Sequence, residues 1–179
     1  MFDLDEKPTI MTSNPSNPLV QLANSKQASD IAAVLRHAFA EYEPLYTAKA
    51  FAATTPTPEQ IRNRWSEGPV WLVIQTEDIV GTVAAVPKPN GVYVRSMAIL
   101  PEARGNGLGV LLLGQVESYS QQIGIQRIFL STTLFLHRAI RLYEHFGFKR
   151  TPDGPHTLHD TPLFTMEKIL AGKGRSHDK

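Results

Sequence analysis

Apolar residues along this chain recur with two periods, one of about 3.6 residues, typical of amphipathic helices, and one of roughly two, typical of strands. The helical period predicts four helices, at residues 25–40, 57–68, 108–123 and 136–146. Runs rich in valine and isoleucine predict six strands, at residues 18–23, 70–75, 79–86, 92–100, 128–131 and 163–169. Residues 42–55 show neither period, and we expect them to form a long connection.

Capping and turn residues mark the ends of several of these elements. We expect Ser25 or Ser29 to cap the first helix and Thr57 to cap the second, which ends at Gly68. The pair Asn90-Gly91 predicts a tight hairpin turn. The elements follow one another as helices, an antiparallel meander, then helix, strand, helix and strand. This order predicts a mixed α/β sheet with helices on both faces.

Length and composition exclude several classes of protein. A chain of 179 residues suffices for one domain, expected at residues 18–170, with flexible tails at 1–17 and 171–179. Because 18 basic residues oppose 17 acidic ones, no net field attracts nucleic acid. We find neither a signal peptide nor an apolar run of the roughly 20 residues that span a bilayer. Without cysteine, the chain has no disulfide and no thiolate site, which fits a cytoplasmic protein with no nucleic-acid or membrane partner.

A glycine-rich segment, Arg104-Gly-Asn-Gly-Leu-Gly109, lies between a predicted strand and a predicted helix. Glycines allow a ligand to approach the backbone, and the first N–H groups of a helix point outward with the positive end of the helix dipole behind them. That geometry suits a diphosphate. The spacing fits neither a dinucleotide-binding loop nor a Walker loop. On this pattern alone, a capped turn without a ligand stays an equal alternative.

Two motifs in this order resemble the GCN5-related N-acetyltransferase (GNAT) superfamily. The first runs from Met97 to Gly109, and the second is Ala139-x-x-Leu-Tyr-Glu-x-x-Gly-Phe148. The resemblance is specific over residues 92–150. It implies a mixed, mostly antiparallel sheet of six to seven strands, flanked by about four helices and splayed between the fourth and fifth strands. It also implies acetyl-CoA as the acyl donor and no metal.

The same resemblance implies the residues of the site. Backbone groups of Met97, Ala98 and Ile99 would contact the pantetheine arm. Tyr143 would lie near the thioester sulfur as the catalytic acid. Many members carry an asparagine seven residues before that tyrosine, and Leu136 stands there in this chain, which puts contact between this helix and the cofactor in question. The diphosphate would be bound by the backbone N–H groups of Arg104, Gly105, Asn106, Gly107, Leu108, Gly109 and Val110.

The family reaction is the direct attack of an amine on the acyl thioester with both substrates bound, so that proximity supplies much of the acceleration. The amine must lose a proton before it attacks, and the departing thiolate gains one. Tyr143 is the candidate acid, although its helical spacing alone favours a core residue. For the base, Glu41, Glu43 and a water relay stay open. Arg95 is either a contact for a substrate carboxylate or an exposed strand residue.

We therefore expect an N-acetyltransferase that acts on a primary amine of a small molecule or peptide. The alternatives are a non-catalytic acyl-CoA-binding sensor domain and an acyltransferase that uses a longer acyl-CoA. His156, His159 and Asp160 share one loop, but a structural zinc site needs four ligands, so we expect no metal there. The last strand offers an edge to a second copy of the chain, which would form a homodimer.

Overall fold

The structure is a computed structural model that describes residues 17–154 and 156–172, so most of both predicted tails lies outside the described residues. The strands are β1 (Leu19–Leu22), β2 (Val70–Gln75), β3 (Asp78–Lys88), β4 (Gly91–Ile99), β5 (Arg127–Thr132), β6 (Lys149–Arg150), β7 (His156–Leu158) and β8 (Thr161–Ile169). The α-helices are α1 (Ala28–Phe39), α2 (Ala48–Thr54), α3 (Pro58–Asn63), α4 (Leu108–Gln122) and α5 (His137–His145). Short 3-10 helices cover Ser25–Gln27, Ala40–Leu45, Trp65–Glu67 and Pro101–Ala103.

The strands form one mixed sheet in the order β1-β2-β3-β4-β5-β8-β6, and β7 pairs with β8. All of these pairs are antiparallel except β4 with β5, which is parallel. The predicted fold class is confirmed. The described residues hold eight strands and five α-helices, slightly more than expected. The surplus strands β6 and β7 have two and three residues, too few to show a period in the sequence.

Helices cover both faces of the sheet, as predicted. On one face, α1 and α3 pack over Leu72 of β2 and Ala98 of β4. On the other face, α4 and α5 pack over alternate residues of β2 to β5 and β8, and the buried residues include Leu112 and Val116. Because neighbouring residues of a strand point to opposite faces, Leu72 and Val73 belong to different cores. This layering places the start of α4 beside α5.

The prediction of a long connection over residues 42–55 is wrong. A 3-10 helix from Ala40 to Leu45 follows α1 directly, and α2 then covers Ala48–Thr54. The hydroxyl of Thr47 caps α2 by accepting from the amide of Ala50 at 3.2 Å. At seven residues, α2 has fewer than two full turns. Such a helix shows no hydrophobic period and takes its stability from packing.

Two predicted helix boundaries also need correction. Neither Ser25 nor Ser29 caps α1, because Asn24 caps a 3-10 turn that leads directly into the helix and accepts from the amide of Lys26 at 3.0 Å. Thr57 does cap α3 and forms a capping box with Gln60. However, α3 ends at Asn63 instead of reaching Gly68.

The last strand is not a free edge. One side of β8 pairs with β5, and the other side pairs with β7 and β6. The dimer hypothesis therefore loses the unpaired edge on which it depends. Among the described helices, none combines the length and the apolar character that crossing a bilayer requires.

Candidate functional site

The glycine loop joins β4 to α4 and needs glycine at two positions. Gly105 and Gly107 have φ angles of 84° and 73°, in the left-handed region that side chains disfavour. A Cβ atom added at either residue would meet no other atom within 4 Å. The backbone therefore faces open space, and a ligand can approach it closely.

Six consecutive amides at this loop have no acceptor in the described part of the chain, namely those of Gly105, Asn106, Gly107, Leu108, Gly109 and Val110. The amide of Arg104 differs, because it donates to the carbonyl of Pro101 at 3.3 Å. The amide of Leu111 closes the first turn of α4 on the carbonyl of Gly107 at 3.2 Å. Convergent free amides at the positive end of a helix dipole form a site for a multiply charged anion.

Gly109 has a packing role instead. A Cβ atom at this residue would lie 2.5 Å from Cδ2 of Leu142 on α5. The missing side chain thus lets the first turn of α4 approach α5 closely. As a result, the free amides of the loop and one face of α5 border the same space.

The side chain of Arg104 turns away from the free amides. Its guanidinium donates to the carbonyl of Ile99 at 3.3 Å and to that of Ala38 at 3.0 Å, and it pairs with the carboxylate of Glu41. These contacts join the end of α1 and the following 3-10 helix to the glycine loop. The sequence motif gave no indication of this role.

The pairing of β4 with β5 stops early. Only Val92 with Ile128 and Tyr93 with Phe129 are in register, although both strands continue. A bulge in β4 lies opposite Thr82 to Ala84, where Ser96 takes a φ of 52°. Bulges bend a strand away from its neighbour. The expected splay between the fourth and fifth strands is therefore present.

A cavity of about 410 Å³ lies between the end of β4, the glycine loop and α5. Ten of the eleven residues expected at the site line it: Met97, Ala98, Ile99, Arg104, Gly105, Gly107, Leu108, Gly109, Val110 and Tyr143. Asn106 does not, and its side-chain amide donates to the carbonyl of Ala103 at 3.2 Å, which supports the loop. We call this space the loop cavity.

Two cationic side chains that the sequence motif did not indicate also line the loop cavity. Arg138 and Arg141 lie one turn apart on α5, and both are exposed. In the sequence, the two arginines could have been recognised by their spacing of three residues, which places both on one face of the helix. Leu136, in place of the family asparagine, also lines the cavity, so α5 contributes to it despite that departure.

A second cavity of about 430 Å³ opens on the far side of Tyr143. It lies in the gap between β4 and β5 and is closed by residues of α2, by Arg64 directly after α3, and by the β7–β8 hairpin. We call it the strand cavity. Four residues line both cavities: Phe39, Met97, Leu136 and Tyr143. The two spaces therefore meet at Tyr143.

Tyr143 is 7% exposed, and its ring packs against Phe148 with centroids 5.8 Å apart. Its hydroxyl has no hydrogen-bond partner in the described part of the chain. Burial raises the pKa of this phenol well above its usual value, and the neighbouring Tyr93 and Tyr46 add to the effect. The phenol is thus neutral at physiological pH and is able to donate a hydrogen bond. Tyr143 is therefore both a core residue and a residue of the candidate site.

The candidate bases do not reach the site. Glu41 pairs with Arg104, and Glu43 lies 3.9 Å from Arg36, and neither carboxylate lines a cavity. Among the described residues, the linings of both cavities contain no aspartate, glutamate or histidine. These observations give no support to either carboxylate as the base.

Three further candidate residues, Arg95, His156 and His159, lie outside the lining of the loop cavity. Arg95 lines the strand cavity, where its guanidinium lies 2.7 Å from the carboxylate of Glu67. His156 contacts the hydroxyl of Thr165 at 2.8 Å, and His159 forms the β7–β8 turn with a φ of 44°. Within residues 17–154 and 156–172, no group of three histidine, aspartate or glutamate side chains is arranged to hold a metal ion.

Comparison with known proteins agrees with this geometry. The sequence profile of the Acetyltransferase (GNAT) family matches residues 32–148. An uncharacterized N-acetyltransferase, YjgM of Escherichia coli, is 30% identical over 141 residues, which cover 75% of this chain and 84% of that protein.

Two solved structures share the fold. The PaiA N-acetyltransferase of Thermoplasma acidophilum, in complex with coenzyme A, has a TM-score of 0.73 at 16% identity and covers 86% of this chain and 99% of its own. YncA of Salmonella typhimurium, solved with its cofactor acetyl-CoA, has a TM-score of 0.68 at 19% identity, with coverage of 87% and 95%.

Proposed function

Because the chain belongs to the GNAT acetyltransferase family, we propose that it transfers an acetyl group from acetyl-CoA to a primary amine while both substrates are bound. The observation that carries the proposal is the meeting of two cavities at Tyr143, one bordered by free amides and the other open to a second substrate. The bound coenzymes in the PaiA and YncA structures support acetyl-CoA as the donor.

The loop cavity has the donors that a coenzyme A diphosphate requires. The free amides from Gly105 to Val110 would bind its oxygens, and Arg138 and Arg141 would add positive charge at the cavity wall. The unpaired edge of β4 near Met97 would hold the amide-bearing pantetheine arm. These contacts would place the thioester at the junction beside Tyr143.

The chemical step needs little from the protein besides position. The amine nitrogen forms a bond to the acyl carbon, the carbon–sulfur bond breaks, and the sulfur leaves with the electron pair. The proton of the amine passes to water, since no carboxylate or imidazole lines the described parts of the cavities. Because its pKa is raised, Tyr143 is a weak acid, and it serves better as a hydrogen-bond donor to the departing sulfur than as a full proton source.

Thiol release tests the proposal against its alternatives. The wild-type protein is given acetyl-CoA with a panel of amines (amino acids, polyamines, aminoglycosides and a peptide with a free N-terminus), and free coenzyme A is measured with and without amine. Amine-dependent release together with the acetylated amine by mass spectrometry supports the enzyme. Tight coenzyme A binding by calorimetry without release from any amine supports the sensor domain and contradicts the proposal. If coenzyme A is released faster from butyryl- or octanoyl-CoA than from acetyl-CoA, the transferred group is a longer acyl chain and not acetyl.

A further inference from the structure

The strand cavity carries a charge pattern that selects among amines. Its charged lining residues in the described chain are two arginines, Arg64 and Arg95, and no acidic residue accompanies them there. The rest of the lining is aromatic, apolar or hydroxyl-bearing, with Phe39, Tyr46 and Tyr93 among the larger side chains.

The two arginines differ in what they contact. The guanidinium of Arg95 is occupied by Glu67, which lies 2.7 Å away. Arg64 caps the end of α3 through its backbone amide, which donates to the carbonyl of Ile61 at 3.1 Å. Arg64 is a half-buried residue, and within the described chain its guanidinium has neither a hydrogen-bond acceptor nor a carboxylate partner.

An unpaired guanidinium on a half-buried residue in a cavity wall favours an anionic ligand. Burial of a charge without a partner costs free energy, and an incoming carboxylate would offset that cost with two parallel N–H···O bonds. An ammonium group in the same place would be repelled and would find no carboxylate to receive it. The cavity therefore disfavours polyamines and aminoglycosides, which carry several positive charges.

The size and lining of the cavity restrict the ligand further. A volume of about 430 Å³ lies near the lower end of the roughly 300–1,000 Å³ range of small-molecule pockets. Tyr46, Leu158 and Leu163 contribute apolar surface to the lining of the same cavity. Resting on the proposed function, we infer that the acceptor is a small amine with one carboxylate and an apolar body, and that Arg64 binds the carboxylate while the amine points to Tyr143.

The experiment compares acceptors that differ only in charge. Apolar α-amino acids and ω-amino acids are each paired with their uncharged amides, and spermidine serves as the cationic acceptor. The kcat/KM values are expressed per unprotonated amine, which removes differences in amine basicity. For wild-type protein, we expect the best amino acid to exceed its amide by roughly ten- to a hundredfold, the effect of a charged hydrogen-bonded pair.

Variants then assign the preference to one side chain. Arg64→Gln should remove the difference between acid and amide through a higher KM for the acid, and Arg64→Lys should retain part of it because a point charge replaces a planar fork. Arg62→Gln is the matched control, since Arg62 is exposed in α3, two residues before Arg64, and lines neither cavity. Coenzyme A affinity and the thermal midpoint are measured for every variant to establish that the fold and the loop cavity are intact.

Each outcome has a distinct meaning. An acid preference lost in Arg64→Gln and kept in Arg62→Gln supports the inference. Equal use of acid and amide by the wild type, a better rate with spermidine, or an unchanged acid-to-amide ratio in Arg64→Gln would overturn it and leave the acetyltransferase proposal standing. Absence of thiol release with every acceptor would overturn both.

Discussion

At the scale of single residues, the site depends on where Tyr143 lies. Its ring belongs to the main core, and its surface contributes to both cavities. Because packing alone does not require the hydroxyl, a role for this group at the junction of the two cavities explains its presence. Phenylalanine would fill the same space without the hydroxyl.

We expect Tyr143→Phe to lower kcat by at least about tenfold, because the departing sulfur loses its hydrogen-bond donor. The KM for acetyl-CoA should change little. Steady-state thiol release measures both values. Tyr119→Phe is the matched control, since Tyr119 packs edge-on against Trp71 with centroids 5.8 Å apart and lines neither cavity. Equal kcat in wild type and Tyr143→Phe would remove Tyr143 from the mechanism.

Arg104 and Glu41 provide a second residue-scale prediction. Arg104 is 18% exposed and donates to two backbone carbonyls, whereas Glu41 is 49% exposed. We expect Arg104→Gln to lower the free energy of unfolding by about 1–3 kcal/mol, because the carbonyls lose their donor. Glu41→Gln should cost less than about 1 kcal/mol, as exposed ion pairs do.

Urea denaturation measures both changes, and the activity of Glu41→Gln provides a further check. Since the carboxylate of Glu41 does not line a cavity, kcat should stay at the wild-type value. A large loss of kcat in the folded Glu41→Gln variant would restore this carboxylate as a candidate base.

At the scale of elements, the close approach of α4 to α5 sets the width of the loop cavity. Gly109 makes this approach possible, because a side chain there would collide with Leu142. In the same helix, Gly114 has no atom within 4 Å of an added Cβ. Two glycines of one helix should therefore respond to alanine in opposite directions.

We expect Gly109→Ala to destabilise the protein by about 1–3 kcal/mol, the usual cost of overpacking. Gly114→Ala should stabilise it by about 0.5–1 kcal/mol, since alanine is the better helix former. Thermal and urea unfolding measure both. A double-mutant cycle with Leu142→Ala tests the cause: a clear favourable coupling between Gly109→Ala and Leu142→Ala is expected, and additive effects would contradict the collision.

At the scale of the whole molecule, the lining of the two cavities determines how the rate depends on pH. Burial raises the pKa of Tyr46 to about 12, partly offset by the hydroxyls of Thr133 and Thr54, and it also raises the pKa values of Tyr93 and Tyr143. These phenols stay neutral as pH rises through the physiological range. The charged residues in the described linings of the two cavities are arginines, which do not titrate in proteins.

The acceptor amine is thus the group expected to titrate. As pH rises, the free amine replaces the unreactive ammonium, so log kcat/KM should increase with a slope of about one and level off at the pKa of the acceptor. Two acceptors whose amine pKa values differ by about two units should shift this inflection by the same amount. An inflection that stays at one pH for both acceptors would instead indicate a titrating group of the protein.

The sequence by itself determined the parts of this protein that depend on local backbone chemistry. Positive φ angles favour glycine, so the glycine loop, its strand and its helix were predictable, as were the β2–β4 meander and the face of α5 that carries Tyr143. Short elements were not, because α2, β6 and β7 are too brief to show a period and are held by packing.

Only the tertiary structure decided which distant residues meet. Phe39 of α1, Met97 of β4, and Leu136 and Tyr143 of the α5 segment come from three separate parts of the chain and form one junction. The pairing of Arg104 with Glu41 and the position of Arg141 on the same cavity as the free amides likewise join residues far apart in the chain. The charge and burial of a site depend on every element that surrounds it. The spacing of residues within one segment gives no information about the other segments.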